Sequence, residues 1–273
     1  MDNSLIASLA EGYQWKLSLI TLAAIVALPW LLKHAVLLVP TLRAEHQRNV
    51  DTYAAKMQKP RYAENQAWNR KWGLTFLVII FAGIMPFVLT ADAQPWWRYF
   101  VDIFVILMVY DFFYYLTHRF LFHDDGKWHG PLVWMHAVHH RQHDPCRGDS
   151  SYIHPLEVFL GLGLYVATIF FLSLVMGRFH VLSIVLTWTA FQQINLHNHD
   201  QWKSDRFPFR YLNTMAVMHH NHHAKFTGGN YATITLLYDW MFGTLDYGDE
   251  RLRQKNERAT QALVEKAGLP TEA

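Results

Sequence analysis

Residues 99–123 have the sequence YFVDIFVILMVYDFFYYLTHRFLFH, an apolar run that ends in two histidines. The run Tyr99–Thr117 contains only two charged residues and is long enough to cross a hydrocarbon core of about 30 Å. His118 and His123 follow at its end in an H-x4-H spacing. The stretch predicts a membrane-spanning helix that carries candidate metal ligands where it leaves the bilayer.

Four further apolar runs have a similar length. They are Leu17–Val39, Gly73–Thr90, Leu156–Met176 and Phe179–Leu196. The second of these contains no charged residue, whereas a surface helix of a soluble bundle has a polar face. We predict an all-α, multi-pass helical membrane protein. Four to five spans are expected, because the last two runs are joined by only two residues, which also suits a re-entrant hairpin.

The overall composition excludes several classes of protein and site. Apolar residues make up 52% of the 273 residues and charged residues 17%, below the roughly 25% of an average soluble domain. The single cysteine, Cys146, excludes a disulfide scaffold and any site built from several cysteines. A net charge of +2 provides no strong positive field, so no nucleic-acid partner is expected.

The distribution of positive charge predicts the orientation. If the spans alternate, 20 of the 24 Lys and Arg residues lie on one side, in Leu42–Trp72, His118–Pro155 and His197–Ala273. That side is expected to be cytoplasmic, in a bacterial inner membrane or the endoplasmic reticulum. The N-terminus lacks the cationic start of a signal peptide, so the first span is expected to be retained.

The histidines are concentrated on this same side and occur in spaced groups. HAVHH at 136–140 and HHNHH at 219–223 share an H-x2-H-H spacing. Because positions i, i+3 and i+4 of a helix are neighbours, we expect each group to direct three imidazoles at one point. An H-x4-H pair is rotated by about 140° on a regular helix, so it converges only if the helix ends or distorts between its members.

The three groups together supply more imidazoles than one ion can bind. The eight are His118, His123, His136, His139, His140, His219, His222 and His223. Zinc takes three or four protein ligands, so eight suit two ions, and imidazole binds Zn, Cu, Fe and Ni alike. Asp111 lies seven residues before His118 on the same helix face. We expect its carboxylate to accept the second N–H of a ligand imidazole.

These motifs resemble the fatty acid hydroxylase / sterol desaturase superfamily of membrane histidine-box di-iron oxygenases. DFFYYLTHRFLFH is similar to the family's first box, HAVHH to its second, and HHNHH with AKFTGGNYA to its last, within Asp111–Gly248. The resemblance implies a cytoplasmic histidine-rich cap with two iron ions, which zinc can replace during purification. It also implies O2-dependent hydroxylation or desaturation of a membrane lipid such as a sterol, fatty acyl chain or sphingoid lipid. The electrons would come from a separate redox carrier protein.

The chain departs from the family pattern at two places. Family members often have a further histidine in a stretch like F-Q-H-x-N, where this chain has Gln193 in FQQIN. We expect His197, one helical turn later, to be a ninth ligand, and we assign no role to His154 or His199. Asn230-Tyr231-Ala232 replaces the family's N-Y-G and resembles its sterol methyl oxidase branch.

The expected organisation has three parts. An N-terminal membrane anchor region over 1–98, with two spans and an interfacial linker, precedes a catalytic domain over 99–248 and a charged tail over 249–273. Two other functions remain open at this point. A membrane zinc hydrolase of lipid amides or esters would leave most of the histidines unused, and a histidine-rich metal transporter would need polar groups along a transmembrane path.

Overall fold

The computed structural model describes residues 12–124, 127–204 and 206–248, and the charged tail predicted over 249–273 lies outside these residues. The described chain is mostly helical and has no closed sheet, which confirms the all-α prediction. The helices are α1 (Trp15–Val36), α2 (Pro40–Met57), α3 (Pro60–Gly83), α4 (Met85–Val88), α5 (Trp96–Thr117), α6 (Val133–His136), α7 (Pro155–Met176), α8 (Val181–Asn198), α9 (Asn213–Ala224) and α10 (Leu237–Met241). Two-residue strands β1 (Leu89–Thr90) and β2 (Phe179–His180) pair in parallel.

Three described helices are long and apolar enough to cross a membrane, judged by length and composition. They are Trp15–Val36, Trp96–Phe122 and Pro155–Met176, which correspond to the first, third and fourth predicted runs. Their outward faces carry exposed apolar side chains such as Val26, Phe104 and Val175. A large exposed apolar surface of this kind is suited to lipid and unfavourable in water.

The second and fifth predicted runs differ from the expectation in their extent. The chain over Gly73–Thr90 is not one helix, because α3 ends at Gly83, Pro86 lies within the short α4, and the last two residues form β1. In the fifth run, Phe179 and His180 form β2 before α8 begins. The last two residues of the second run pair with the first two residues of the fifth run, as β1 and β2. The helical part of each run is therefore shorter than the run itself.

The interfacial linker predicted between the first two spans is helical. It forms α2 and the polar first half of α3, which are separated by two residues and each begin with proline at a favoured position. The side chains of these helices bind the turn Arg147–Ser151. Asn49 Oδ1 accepts from the Arg147 amide at 2.9 Å, and the Tyr62 hydroxyl donates to Asp149 at 2.7 Å. The N-terminal helices therefore help to shape the histidine-rich end of the molecule.

Helices α5, α7 and α8 form the centre of the bundle, and α1 and α3 pack against them. At the end away from the histidines, buried Asp102 accepts from Arg98 Nε at 2.7 Å and from Ser183 Oγ at 2.7 Å. The other side of the same guanidinium donates to the Met176 carbonyl at 2.7 Å. This network ties the three central helices together at the end away from the histidines.

Candidate metal centre

The H-x4-H pair converges because α5 distorts and then ends. The helix passes into a π-helical turn over His118–Phe122, and the backbone is extended at His123. As a result the Nε2 atoms of His118 and His123 lie 3.1 Å apart and both rings are buried. This is the distortion that the spacing requires for the two rings to meet.

Each H-x2-H-H group divides between two clusters, so the expectation that its three imidazoles share one point is wrong. In both groups the first and last histidines face one cluster, and the middle histidine, His139 or His222, faces the other. On a regular helix, positions i and i+4 differ by about 40°, whereas i+3 is rotated by about 100° from i+4. Only the second group lies within one regular helix, α9, because α6 ends at His136 and a separate 3-10 turn covers His139–Arg141. The division therefore also depends on where the facing histidines lie.

The nine clustered histidines form a group of five and a group of four. Cluster one contains His118, His123, His136, His140 and His222, and cluster two contains His139, His199, His219 and His223. Neighbouring Nε2 atoms lie 3.0–3.2 Å apart in cluster one and 3.1–3.2 Å apart in cluster two. Two imidazole nitrogens about 2.1 Å from one ion, at a right angle, are separated by about 3 Å. The spacing is that of adjacent ligands on a common ion.

The opposite ring nitrogens show which tautomer is present. In cluster one, four Nδ1 atoms face acceptors: His118 with Tyr231 O (2.6 Å), His123 with Phe226 O (2.7 Å), His222 with Gly229 O (2.8 Å) and His136 with Glu157 Oε1 (2.7 Å). A carbonyl oxygen only accepts, so Nδ1 carries the proton and Nε2 presents a lone pair. Converging lone pairs repel one another unless a cation lies between them, so this donor set fits a metal ion.

Burial also keeps the imidazoles neutral. It lowers the pKa of His139 and of His222 to about 4. It holds the pKa well below the usual 6.5 in the other cluster members outside the apolar spans, namely His123, His136, His140, His199, His219 and His223. Neutral imidazole is the form that binds a metal ion, so the clusters are ready to bind metal at neutral pH.

The three carbonyl groups that orient cluster one belong to a single loop, residues 226–235, which two buried carboxylates hold in place. Asp239 accepts from the amides of Tyr231 and Ala232, each at 2.8 Å. Asp111 accepts from the next three amides, those of residues 233–235, at 2.8–3.0 Å. Five successive amides therefore donate to carboxylates, which leaves the loop carbonyls directed at the histidines.

The expected role of Asp111 is therefore wrong. All of its hydrogen bonds in the described chain go to residues 233–235, and the carboxylate that accepts an N–H from a clustered imidazole is Glu157. The IHPLE sequence explains the position of Glu157: the His154 side chain accepts from the Leu156 amide and caps α7, and Pro155 begins the helix. Glu157 then lies in the first turn, where it faces His136.

The glycines before Tyr231 allow the loop to approach the chain closely. A Cβ atom on Gly229 would collide with the Thr244 carbonyl. Asn230 has a φ of 64°, in the left-handed region, and its side chain accepts from the Asp246 amide and donates to the Met218 carbonyl. Glycine and asparagine are the residues that tolerate such positions, which accounts for the TGGN turn.

The structure does not bring His197 into either cluster. Its Nε2 lies 2.6 Å from the Leu212 carbonyl, and its Nδ1 lies 3.0 Å from Asp200. His199 lies in cluster two instead, with its Nε2 3.1 Å from those of His139 and His219. Two residues correspond to about 200° around a helix, so these neighbouring histidines point in nearly opposite directions at the end of α8.

A cavity of about 460 Å³ adjoins both clusters. It is lined by two histidines of cluster one, His118 and His136, and by three of cluster two, His139, His199 and His219. From the histidines it continues between α3, α5, α7 and α8, where the lining includes Gly73, Tyr110, Gly161, Leu162 and Phe191. The cavity connects the histidines with the apolar part of the bundle.

Several curated proteins are similar to this chain in sequence. A putative methylsterol monooxygenase of Dictyostelium discoideum is 30% identical over 50% of this chain and 48% of its own length. A very-long-chain aldehyde decarbonylase of Oryza sativa subsp. indica is 30% identical over 63% and 59%, and methylsterol monooxygenase 1 of Rattus norvegicus is 29% identical over 50% and 44%. The chain thus spans between 44% and 59% of the length of these curated relatives.

No solved structure matches the chain. The family model for fatty acid hydroxylase matches residues 103–244. This range contains all nine clustered histidines, Glu157, and both carboxylates that hold the loop. The chain belongs to the fatty acid hydroxylase family.

Proposed function

We propose that the protein is a membrane oxidoreductase that hydroxylates, or desaturates, a C–H bond of a membrane lipid in an O2-dependent reaction. The observation that carries the proposal is the pair of buried histidine clusters beside one cavity that continues between apolar helices. The names of the relatives, methylsterol monooxygenase among them, support oxidation of a lipid. A sterol is the first substrate to test, because Asn230-Tyr231-Ala232 also resembles the sterol branch.

The proposed ligands are the nine clustered histidines, five for one ion and four for the other, with His199 in the place expected for His197. Iron is proposed at both positions, and zinc is the ion expected to replace it during purification. Bound iron would supply the activation of O2 needed to attack an unreactive C–H bond. The electrons are proposed to come from a separate redox carrier protein, because the sequence contains no flavin or dinucleotide motif.

The side chains around the cavity would hold the lipid and exclude water. The rings of Tyr110 and Phe191 lie 5.2 Å apart in an edge-to-face arrangement, and Tyr165 stacks on Phe191 at 4.3 Å. Tyr110 and Phe191 form part of the apolar wall beyond the histidines, and Tyr165 packs against Phe191 outside that wall. Glu157 would keep His136 in its Nδ1-protonated tautomer, so that its Nε2 remains available as a ligand.

The location is part of the same proposal. The excess of Lys and Arg on the histidine-rich side supports a cytoplasmic position for the metal centre, in a bacterial inner membrane or the endoplasmic reticulum. The lipid would then enter the cavity laterally from the bilayer, between the spans. In this arrangement residues 1–98 anchor the chain and 99–248 form the catalytic domain.

The test is lipid oxidation by the purified, iron-loaded full chain, with a chemical reductant and 18O2. We expect an oxidised lipid that requires both O2 and reductant, and incorporation of 18O if the product is an alcohol. The His139→Ala/His222→Ala double variant should give no product. Lipid amide or ester cleavage without O2 would overturn the proposal in favour of a zinc hydrolase, and metal flux into vesicles without lipid chemistry would favour a transporter.

A further inference from the structure

Residues 206–212, just before α9, expose a group of apolar side chains. Phe207 is 73% exposed, Tyr211 59% and Leu212 45%. The rings of Phe207 and Tyr211 lie 6.1 Å apart in an edge-to-face arrangement, so they form one surface. An exposed apolar group of this kind is typical of a contact with a membrane or with another protein.

Backbone hydrogen bonds hold this surface in a defined shape. The Arg210 amide donates to the Arg206 carbonyl at 2.9 Å, and the Leu212 amide donates to the Phe209 carbonyl at 3.0 Å. Between them the chain forms a short 3-10 turn over Phe209–Tyr211. The exposed rings are therefore presented by a hydrogen-bonded turn that leads directly into the histidine-bearing helix α9.

Positive charge accompanies the apolar group. Residues 203–210 contain three cations, Lys203, Arg206 and Arg210, and one carboxylate. All three cations are exposed, and no ion pair within the described parts of the chain involves either arginine. The Arg210 guanidinium lies 5.0 Å from the Tyr211 ring centre and donates to the Tyr211 hydroxyl at 3.0 Å. Arginine binds phosphate groups well, and an aromatic ring beside it suits the boundary of a bilayer.

The position of Leu212 relates the turn to the membrane boundary. Leu212 lines a groove of about 620 Å³ together with Trp30, Lys33 and Val36, which lie in the last two turns of α1. Helix α1 is long and apolar enough to span a membrane, and Trp30 is exposed. Tryptophan and lysine near the end of a span are typical of the interface between hydrocarbon and water. Because Leu212 lines the same groove, the turn lies near the level of that interface.

We infer that residues 206–212 bind the anionic phospholipid surface of the bilayer on the histidine-rich side. The exposed rings would enter the headgroup region, and Arg206 and Arg210 would bind lipid phosphates. A soluble protein fits this surface less well, because it could reach the turn only at the edge of the bilayer. The inference goes beyond the proposed function and does not depend on the reaction, since it uses only the spans and this turn.

The depth of the turn is measured with the fluorescent label bimane on single introduced cysteines. The metal-loaded full chain is placed in nanodiscs that hold one chain each, and the label is attached to Phe207→Cys or to Tyr211→Cys. Cys146 is buried, and the wild type taken through the same labelling gives the blank. Phospholipid that carries a doxyl spin label high on its acyl chain quenches a bimane that lies within the bilayer.

The control position is Gln58→Cys, in the exposed turn between α2 and α3. The polar half of α3, residues 60–72, separates Gln58 from the apolar half by about 20 Å along the helix axis. A label there should face water.

Lipid quenching at Phe207→Cys and Tyr211→Cys should exceed that at Gln58→Cys by at least about threefold, because an interfacial segment lies roughly 5–10 Å into the headgroup and acyl boundary. Iodide dissolved in the water should show the opposite order. Lipid quenching at the turn no stronger than at the control would overturn the inference. If the labels in the turn were then also shielded from iodide, a protein surface and not lipid would cover the rings.

The role of charge is tested by placing the spin label on either phosphatidylcholine or phosphatidylglycerol, in discs that contain both lipids. Bimane at Phe207→Cys should be quenched at least about threefold more by labelled phosphatidylglycerol, because surface arginines attract anionic lipid. Arg206→Gln/Arg210→Gln should remove this preference. The matched control Lys59→Gln/Arg61→Gln removes two exposed cations from the turn between α2 and α3 and should keep it.

An equal response to the two labelled lipids would refute the assignment to anionic phospholipid, and so would a preference that the arginine variant retains. The comparison of the two lipids needs no change at Arg206 or Arg210, so it is decisive even if that variant does not fold.

Discussion

The two histidine clusters present the same ligand atom but differ in how it is held. In cluster one, four of five Nδ1 atoms bind a loop carbonyl or Glu157 at 2.6–2.8 Å. In cluster two, the Nδ1 atoms of His139 and His199 face carbonyls at 3.2 and 2.8 Å, and that of His223 has no partner among the described residues. Three of the four rings of cluster two line the cavity, against two of five in cluster one. Of the two proposed metal positions, cluster one has more of its ring nitrogens held by outer hydrogen bonds, and cluster two contributes more of its rings to the cavity wall.

The largest effect is expected when either cluster loses a ligand. His222→Ala in cluster one and His139→Ala in cluster two should each reduce O2-dependent lipid oxidation by more than about 100-fold, because lost outer partners of metal ligands alone cost 10–100-fold. The measurement is product formation per chain under saturating reductant. Activity above about a tenth of wild type in either variant would show that its cluster is dispensable.

Glu157→Ala is expected to have a smaller effect, which weakens metal binding at cluster one and not at cluster two. The substitution removes the acceptor of His136 Nδ1 at 2.7 Å, so the affinity of cluster one for metal should fall by about 10–100-fold. Titration with a competing chelator measures both affinities, and cluster two serves as the internal control. A matched loss at both clusters, or at neither, would contradict the distinction between them.

Because more Nδ1 atoms are hydrogen-bonded in cluster one than in cluster two, the two clusters should release bound metal at different rates. When the iron-loaded wild type is mixed with excess chelator, release should occur in two phases of similar amplitude, with the faster phase from cluster two. His223→Ala should then abolish the fast phase and leave the slow one. Release in a single phase would indicate that the two positions are equally held.

The smallest effect is expected at His197, which the sequence favoured as a ninth ligand. Its ring contacts the Leu212 carbonyl and Asp200 and not the clusters, so His197→Ala should leave the metal content within about a fifth of wild type. His199→Ala, two residues away, should behave like a loss of ligand. The reverse pattern, with metal lost only in His197→Ala, would place the ninth ligand where the sequence suggested.

The structural features that the sequence predicted best are those that depend on one continuous segment of the chain. The apolar run before His118 defines a helix, and the rotation per residue shows that an H-x4-H pair meets only if that helix distorts, as it does. The metal-ligand assignment itself stays a prediction. The split of the H-x2-H-H groups was not predicted, because it depends on where the second group of imidazoles lies and not on helical register alone.

Contacts between distant segments explain the remaining differences. Asp111 shares a helix face with His118, but it binds a loop more than 120 residues later, and the acceptor for His136 comes from Glu157 at the start of another helix. His197 lies in the last turn of α8, whereas His199 follows the last residue of that helix. Which of the two rings faces the clusters therefore depends on where α8 ends. Likewise, Gly73–Thr90 is interrupted because its last residues pair with β2, a partner that the run does not reveal.

The most direct test of the two-cluster account is the metal content of the iron-loaded full chain, measured beside His222→Ala and His139→Ala. The account predicts about two irons per chain in the wild type and about one in each variant, because each substitution removes a ligand from a different cluster. One ion in the wild type that both substitutions abolish would contradict it, since all nine histidines would then serve a single site.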